Sequence, residues 1–241
     1  MRLFRTIYGC WFTFNFIWVF LLLLPFFLIT LSTPSLYKYA HKLRVLWGRI
    51  ILLLGFIWVK VYNKKLVDRN KKYIIVSNHA SHFDIISIAV GVPLDLNFMA
   101  KIQLQRIPVF GIFFKTIDIA VDRSSAAHSA KAYMNAKDQL KNNVRSICIF
   151  PEGGIKPISP KVSPFKQGAF KMAVETQTTI LPVSIFDNWK LSSSIAFEAQ
   201  PGLMRIYIHE PIDTQGKTLD DVKSLCDITY QIIKQKVEEN I

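Results

Sequence analysis

The stretch Ser77-Asn78-His79-Ala80-Ser81-His82-Phe83-Asp84 sets a histidine and a carboxylate five positions apart, directly after an apolar run. Such a pair can turn an alcohol into a nucleophile. A lipid or glycerol hydroxyl ionises far above neutral pH, whereas an imidazole titrates near pH ~6.5 and can accept the proton as attack proceeds. Asp84 would hold one ring nitrogen as N–H and leave the other free. A serine-protease triad divides its labour in the same way, but no nucleophilic serine is needed if the substrate brings its own hydroxyl. Alone, a histidine near an aspartate is more often a structural hydrogen bond. That reading weighs more heavily on His82, and Ser81 reads as a helix cap.

Three further stretches carry chemistry. In Ile147-Cys148-Ile149-Phe150-Pro151-Glu152-Gly153-Gly154 a β-rich run breaks into a turn. Its glycines would let backbone approach a ligand, and its free N–H groups could hold an anionic oxygen; a plain strand and tight turn is the simpler alternative. Lys101, Arg106 and Arg123 lie between the two motifs and can offer positive charge to a phosphate, Arg123 through a two-pronged fork. Arg106 reads better as a solvated surface residue. Pro108 and Gly111 read as shapers of the backbone, and Ile180-Leu181-Pro182-Val183 is a fourth apolar run.

The order of His79-x4-Asp84, the Lys101/Pro108/Gly111/Asp122-Arg123 block, Phe150-Pro151-Glu152-Gly153 and Ile180-Leu181-Pro182-Val183 resembles the glycerolipid acyltransferases, especially the 1-acylglycerol-3-phosphate acyltransferases, over roughly Val59 to Pro211. The resemblance implies transfer of a fatty acyl group from a thioester of acyl carrier protein or coenzyme A to the free hydroxyl of a lysophospholipid. It makes His79 and Asp84 the base and its orienting carboxylate. Lys101, Arg123, Glu152 and Gly153, with the neighbouring Gly154 and Lys156, become the glycerol-phosphate site, and the run around Pro182 the acyl-donor side. The thioester is a co-substrate, so no cofactor is implied. One departure stands out: where the family continues Phe-Pro-Glu-Gly-Thr-Arg, this chain has Phe150-Pro151-Glu152-Gly153-Gly154-Ile155-Lys156. A branched aliphatic chain replaces a phosphate-gripping fork. Either Lys101, Arg123 and Lys156 share that load, or the acceptor carries another head group, such as an amino-acid lipid. A lipid hydrolase or transacylase could use the same base.

These motifs need elements to carry them. Strands are expected at Lys72–Ser77, Asn97–Ala100, Ile117–Val121, Ser146–Phe150, Ile180–Ile185, Ser194–Phe197 and Leu203–His209. Helices are expected at Asp84–Gly91, Ser124–Asn142, Gly168–Thr176 and Thr218–Glu239. This alternation predicts an α/β fold with a mixed, largely parallel sheet flanked by helices, over residues 66–241. The motifs would then sit at the carboxyl ends of strands, where open α/β sheets place their sites.

Residues 1–65 read as a membrane-associating two-helix segment. Ile7 to Leu31 is 25 residues long with no charge, and about 20 apolar residues span hydrocarbon. It lacks a small-residue cleavage site and reads as retained. Val45 to Tyr62 is a second apolar stretch that would span or lie half-sunk, with Arg49 able to snorkel. The first 62 residues hold seven Lys or Arg and no Asp or Glu, so they carry +7 of the net +13. Such a surplus favours anionic lipid and a cytoplasmic catalytic part, and would steer an acidic carrier protein. Nucleic acid is the poorer partner, because the charge accompanies the membrane segments and no nucleic-acid motif is present. Cys10, Cys148 and Cys226 read as small buried residues of a reducing compartment, too scattered for disulfides or a metal site.

Overall fold

The computed structural model describes residues 2–122, 124–142, 144–156, 160–192 and 198–241. Arg123 and the strand expected at Ser194–Phe197 lie outside the described residues. Seven strands form one sheet among them: β1 (Ile57–Tyr62), β2 (Ile74–Ser77), β3 (Leu96–Lys101), β4 (Ile119–Val121), β5 (Ser146–Ile149), β6 (Ile180–Ile185) and β7 (Gly202–Ile208), in the order β1-β7-β6-β2-β5-β3-β4. Every neighbouring pair is parallel except β6 with β7. The mixed, mostly parallel sheet expected from the sequence is therefore present. Strands β6, β2, β5, β3 and β4 all end on one edge, and β7 and β1 run the other way.

Period-two alternation splits the strand side chains between two layers. Ile74, Val76, Ile147 and Ile180 pack with α5 (Ala126–Lys141), α6 (Gly168–Thr176) and α8 (Val222–Glu238), through Ala136, Phe170 and Ile233 among others. Ile75, Cys148, Leu181 and Val183 face the other way, onto Ile88 and Ala89 of α3 (Phe83–Gly91). The register Ile74↔Ile147 and Ile74↔Ile180 brings the three central strands level. Their ends therefore lie side by side.

The amino-terminal segment differs from expectation in its second half. α1 (Arg2–Thr30) is long and apolar enough to cross a membrane, and Pro25 lies within it. α2 (Tyr37–Leu54) is not a second such helix: the helix stops at Leu54, and Ile57–Tyr62 is strand β1, paired with β7. The break is at Gly55-Phe56, where Phe56 takes a positive φ of 50°. After it, Ile57, Val59 and Val61 alternate with Trp58, Lys60 and Tyr62, which suits a pleated strand. The sheet thus takes in residues upstream of 66. Trp47 of α2 packs at 4.6 Å from Phe16 and 5.3 Å from Phe20 of α1, and 6.5 Å from Phe113 of α4 (Pro108–Phe114). Phe12 meets Phe83 at 4.6 Å, so α1 is also fastened to the start of α3. Cys148 and Cys226 are buried as expected, but Cys10 is exposed on α1.

Candidate active site

β2 and β5 are adjacent and parallel, so the turns after them meet. The first carries His79 and leads into α3. His79 Nδ1 lies 2.9 Å from Asp84 Oδ2, and the same oxygen accepts from the N–H groups of Ala80 (2.7 Å) and Ser81 (2.9 Å). Asp84 is fully buried. An ionised carboxylate only accepts, so the ring must present Nδ1–H to it and keep a lone pair on Nε2. The imidazole itself is mostly enclosed, with Phe150 of the second turn stacked on it at 4.2 Å. The cap position of α3 is His82 rather than Ser81, whose Oγ accepts from Phe83 N–H at 3.2 Å one residue before it. His82 is exposed.

Glu152, on the turn after β5, is 4% exposed and bridges two segments. Its Oε1 accepts from His79 N–H at 2.7 Å and its Oε2 from Ser163 N–H at 2.8 Å. Burial pushes its carboxyl above the usual glutamate range, and the two backbone donors pull it back. Both oxygens are thus engaged in shaping the backbone on which His79 sits. Pro151 O accepts from Lys166 N–H at 3.0 Å, which ties the same turn to the lead-in of α6.

Lys101 ends β3, next to β5, and is exposed. A Cβ on Gly154 would meet its Nζ at 3.0 Å, and Gly154 has φ +133°, a conformation that side chains rarely adopt. The ammonium therefore rests against bare backbone at the point where the Glu152 turn departs from the family pattern. Lys156 is exposed on the same loop. Gly111 has a packing reason to be glycine, because a Cβ there would come within 2.4 Å of Gln105 O.

Two residues of this site lay outside the sequence reading. Asn188, 1% exposed at the start of α7 (Asn188–Leu191), donates from Nδ2 to Asp84 Oδ1 at 2.7 Å and to Ser87 Oγ at 2.6 Å. Asn78 donates to Ile185 O at 2.9 Å and accepts from Ile185 N–H at 2.8 Å, which pins the end of β6 to the end of β2. Asp187 is clamped by both prongs of Arg205, at 2.7 and 2.8 Å. Together these contacts deliver Asn188 to the carboxylate. The signal available was positional: Asn188 follows a buried strand on the edge where parallel sheets build sites.

A narrow apolar cavity of about 30 Å³ runs beside the site, between α1/α2 and α3, β3 and α4. Ala100, the neighbour of Lys101 in the chain, and Leu104 line it, as do the ion-paired Arg44 and Asp118.

Residues 58–186, more than half of the chain, match the acyltransferase family model. The chain belongs to the acyltransferase family. It is 30% identical to an uncharacterized acyltransferase of Schizosaccharomyces pombe over 69% of its own length, a match that spans 60% of that relative. It is 26% identical to the 1-acyl-sn-glycerol-3-phosphate acyltransferase of Salmonella typhimurium, over 87% of this chain and 84% of that one. The crystal structure of the 1-acyl-sn-glycerophosphate acyltransferase of Thermotoga maritima superposes with a TM-score of 0.84 at 26% identity, covering 99% of this chain and 97% of the other.

Proposed function

We propose that the protein transfers a fatty acyl group from an acyl thioester, carried by acyl carrier protein or coenzyme A, to the free hydroxyl of a lysophospholipid, with 1-acylglycerol-3-phosphate as acceptor and phosphatidate as product. The observation that carries this reading is the His79 ring, fixed in one tautomer by a buried carboxylate that otherwise meets only neutral donors. Nε2 takes the hydroxyl proton while the oxygen bonds to the thioester carbonyl carbon. The C–S bond then breaks, and the imidazolium returns the proton to the departing thiolate. No acyl-enzyme is formed. His79 and Asp84 are the catalytic pair in this scheme, and Asn188 positions Asp84.

Lys101, Gly153, Gly154 and Lys156, with Arg123, are assigned to the glycerol phosphate. The placement of the Lys101 ammonium over Gly154 supports the view that it offsets the arginine replaced by Ile155. Glu152 serves the same subsite by holding its turn. The apolar cavity beside Lys101 is suited to an acyl chain, for which α1 and α4 would have to part. The helix pair is assigned to the membrane and the sheet to its cytoplasmic face, since the exposed side of α1 carries Trp11, Phe14, Trp18 and Leu22 and the flanking charge is positive.

The test is acyl transfer by purified protein in vesicles, with labelled acyl thioesters offered against lysophosphatidate, lysophospholipids with larger heads, and amino-acid lysolipids. Preference for lysophosphatidate is expected. Preference for another head group would make Ile155 the mark of an altered pocket. Release of fatty acid without an acceptor would replace transfer by hydrolysis.

A further inference from the structure

The edge of the sheet away from His79 carries a second concave surface. A cavity of about 430 Å³ opens between α2, the end of α3 with the turn before β3, and the connection from β1 to β2. Lys38, Lys42 and Arg49 reach it from α2, and Lys64 and Arg69 from that connection. At 100° per residue the three α2 cations fall within a narrow arc, so they form one stripe. None of the five meets a carboxylate within 4.0 Å among the described residues. The acid at the rim, Asp95, is already engaged by Arg145 at 3.0 Å. Most ion pairs of this protein lie elsewhere, so an uncompensated group of five marks a place that attracts negative charge.

Charge is only half of the surface. Val45, Leu46, Val90 and Val92 line the same cavity. Leu46 and Leu53, 47% and 64% exposed, lie along one side of the α2 cation stripe, Leu46 before and Leu53 beyond Arg49. Tyr39 is exposed, with the ammonium groups of Lys38 and Lys42 at 5.0 and 5.6 Å from its ring. A free anion would make use of the cations and leave the leucines in water. A molecule with a phosphate at one end and hydrocarbon at the other uses both, and tyrosine and lysine are side chains that favour the head-group zone.

We propose that this cavity binds the head group of an anionic phospholipid of the bilayer, at a site separate from the one that holds the reacting hydroxyl. The phosphate would rest among Lys42, Arg49, Lys64 and Arg69, with the upper part of the acyl chains against Leu46 and Val90. Because two of these cations belong to α2 and two to the sheet connection, such a lipid would bridge the helix pair and the sheet. The site stands whatever acceptor the enzyme prefers.

The test compares full-length protein with K42Q/R49Q/K64Q/R69Q and with K131Q/K141Q/K161Q/K223Q, which loses the same charge at exposed positions elsewhere. Binding is measured by co-sedimentation with vesicles of phosphatidylcholine alone or with one part in five phosphatidylglycerol, a lipid that is neither thioester nor lysolipid. Because cations near anionic lipid add to binding, the cavity variant is expected to lose at least about tenfold in affinity for the anionic vesicles. The control variant should lose less than about threefold, both should bind phosphatidylcholine like the parent, and millimolar inorganic phosphate should not compete. Equal losses in the two variants would overturn the site in favour of a diffuse field. Displacement by inorganic phosphate would reduce it to an anion site. If vesicle binding is intact and only capture of purified acyl carrier protein is lost, the surface is a protein dock and the lipid proposal fails.

Discussion

Asp84 and Asp118 are both enclosed, at 0% and 4% side-chain exposure, yet the protein satisfies them in opposite ways. Asp118 accepts both hydrogen bonds of its ion pair from Arg44 Nη1, at 3.0 and 2.7 Å, and a third from Phe98 N–H at 2.9 Å. The Arg44 guanidinium also reaches Leu96 O at 3.1 Å and lies 5.2 Å from the rings of Phe98 and Phe113. Its charge cancels that of Asp118 permanently, and the result fastens α2 to β3. Asp84 meets two backbone N–H groups, an asparagine amide and an imidazole, all formally neutral. In the proposed mechanism its negative charge would stabilise the imidazolium formed as Nε2 takes the hydroxyl proton. What would separate a fastening from the proposed catalytic pair is the charge of the partner. Burial is common to both.

This contrast can be broken at either aspartate. The largest effect is expected from His79→Ala, which should lower kcat/KM by about 10³-fold or more while thermal unfolding is unchanged; a variant that kept a tenth of the parental rate would leave Asp84 as no more than another structural carboxylate. At the other aspartate, Asp118→Asn strands the Arg44 charge and should cost about 3–5 kcal/mol in denaturant unfolding, whereas R44M/D118L should recover most of it. A D118N protein as stable as the parent would show that the ion pair fastens nothing. The smallest effect sharpens the comparison: Asn188→Ala removes a hydrogen bond to a charged group, worth about 1.5–3 kcal/mol, and should lower kcat at least about tenfold at constant KM. A rise in KM with kcat preserved would move Asn188 from positioning Asp84 to contacting substrate.

Much of this was open to reading from the chain. Ile74–Ser77, Ser146–Ile149 and Ile180–Ile185 are apolar runs bounded by turn residues; His79 and Glu152 follow the first two closely, and Lys101 ends β3. β1 was hidden because Ile50 to Leu54 is as apolar as Ile57 to Tyr62, so the helical and extended halves merge into one hydrophobic stretch. Gly55 and the alternation after it were the local clues. Asn188 and Arg44 were hidden for another reason. Their partners lie 104 and 74 residues away, and only the strand order brings them together. Glu152 was legible as a motif residue, but its bonds to His79 N–H and Ser163 N–H depend on a turn geometry that residue types do not encode.

The phenyl ring of Phe150, lying 4.2 Å from the His79 imidazole with 19° between their planes, also gives the protein a built-in spectroscopic label. Circulating π electrons shield nuclei held over a ring face, so the carbon-bound protons of His79 should resonate upfield of those of an unstacked imidazole. Of the five histidines, His209 also lies near an aromatic ring, 4.8 Å from Tyr207 but tilted by 59°, so the near-parallel stacking would distinguish the His79 signal, and protonation of the proposed base could be followed without isotopic substitution at that site.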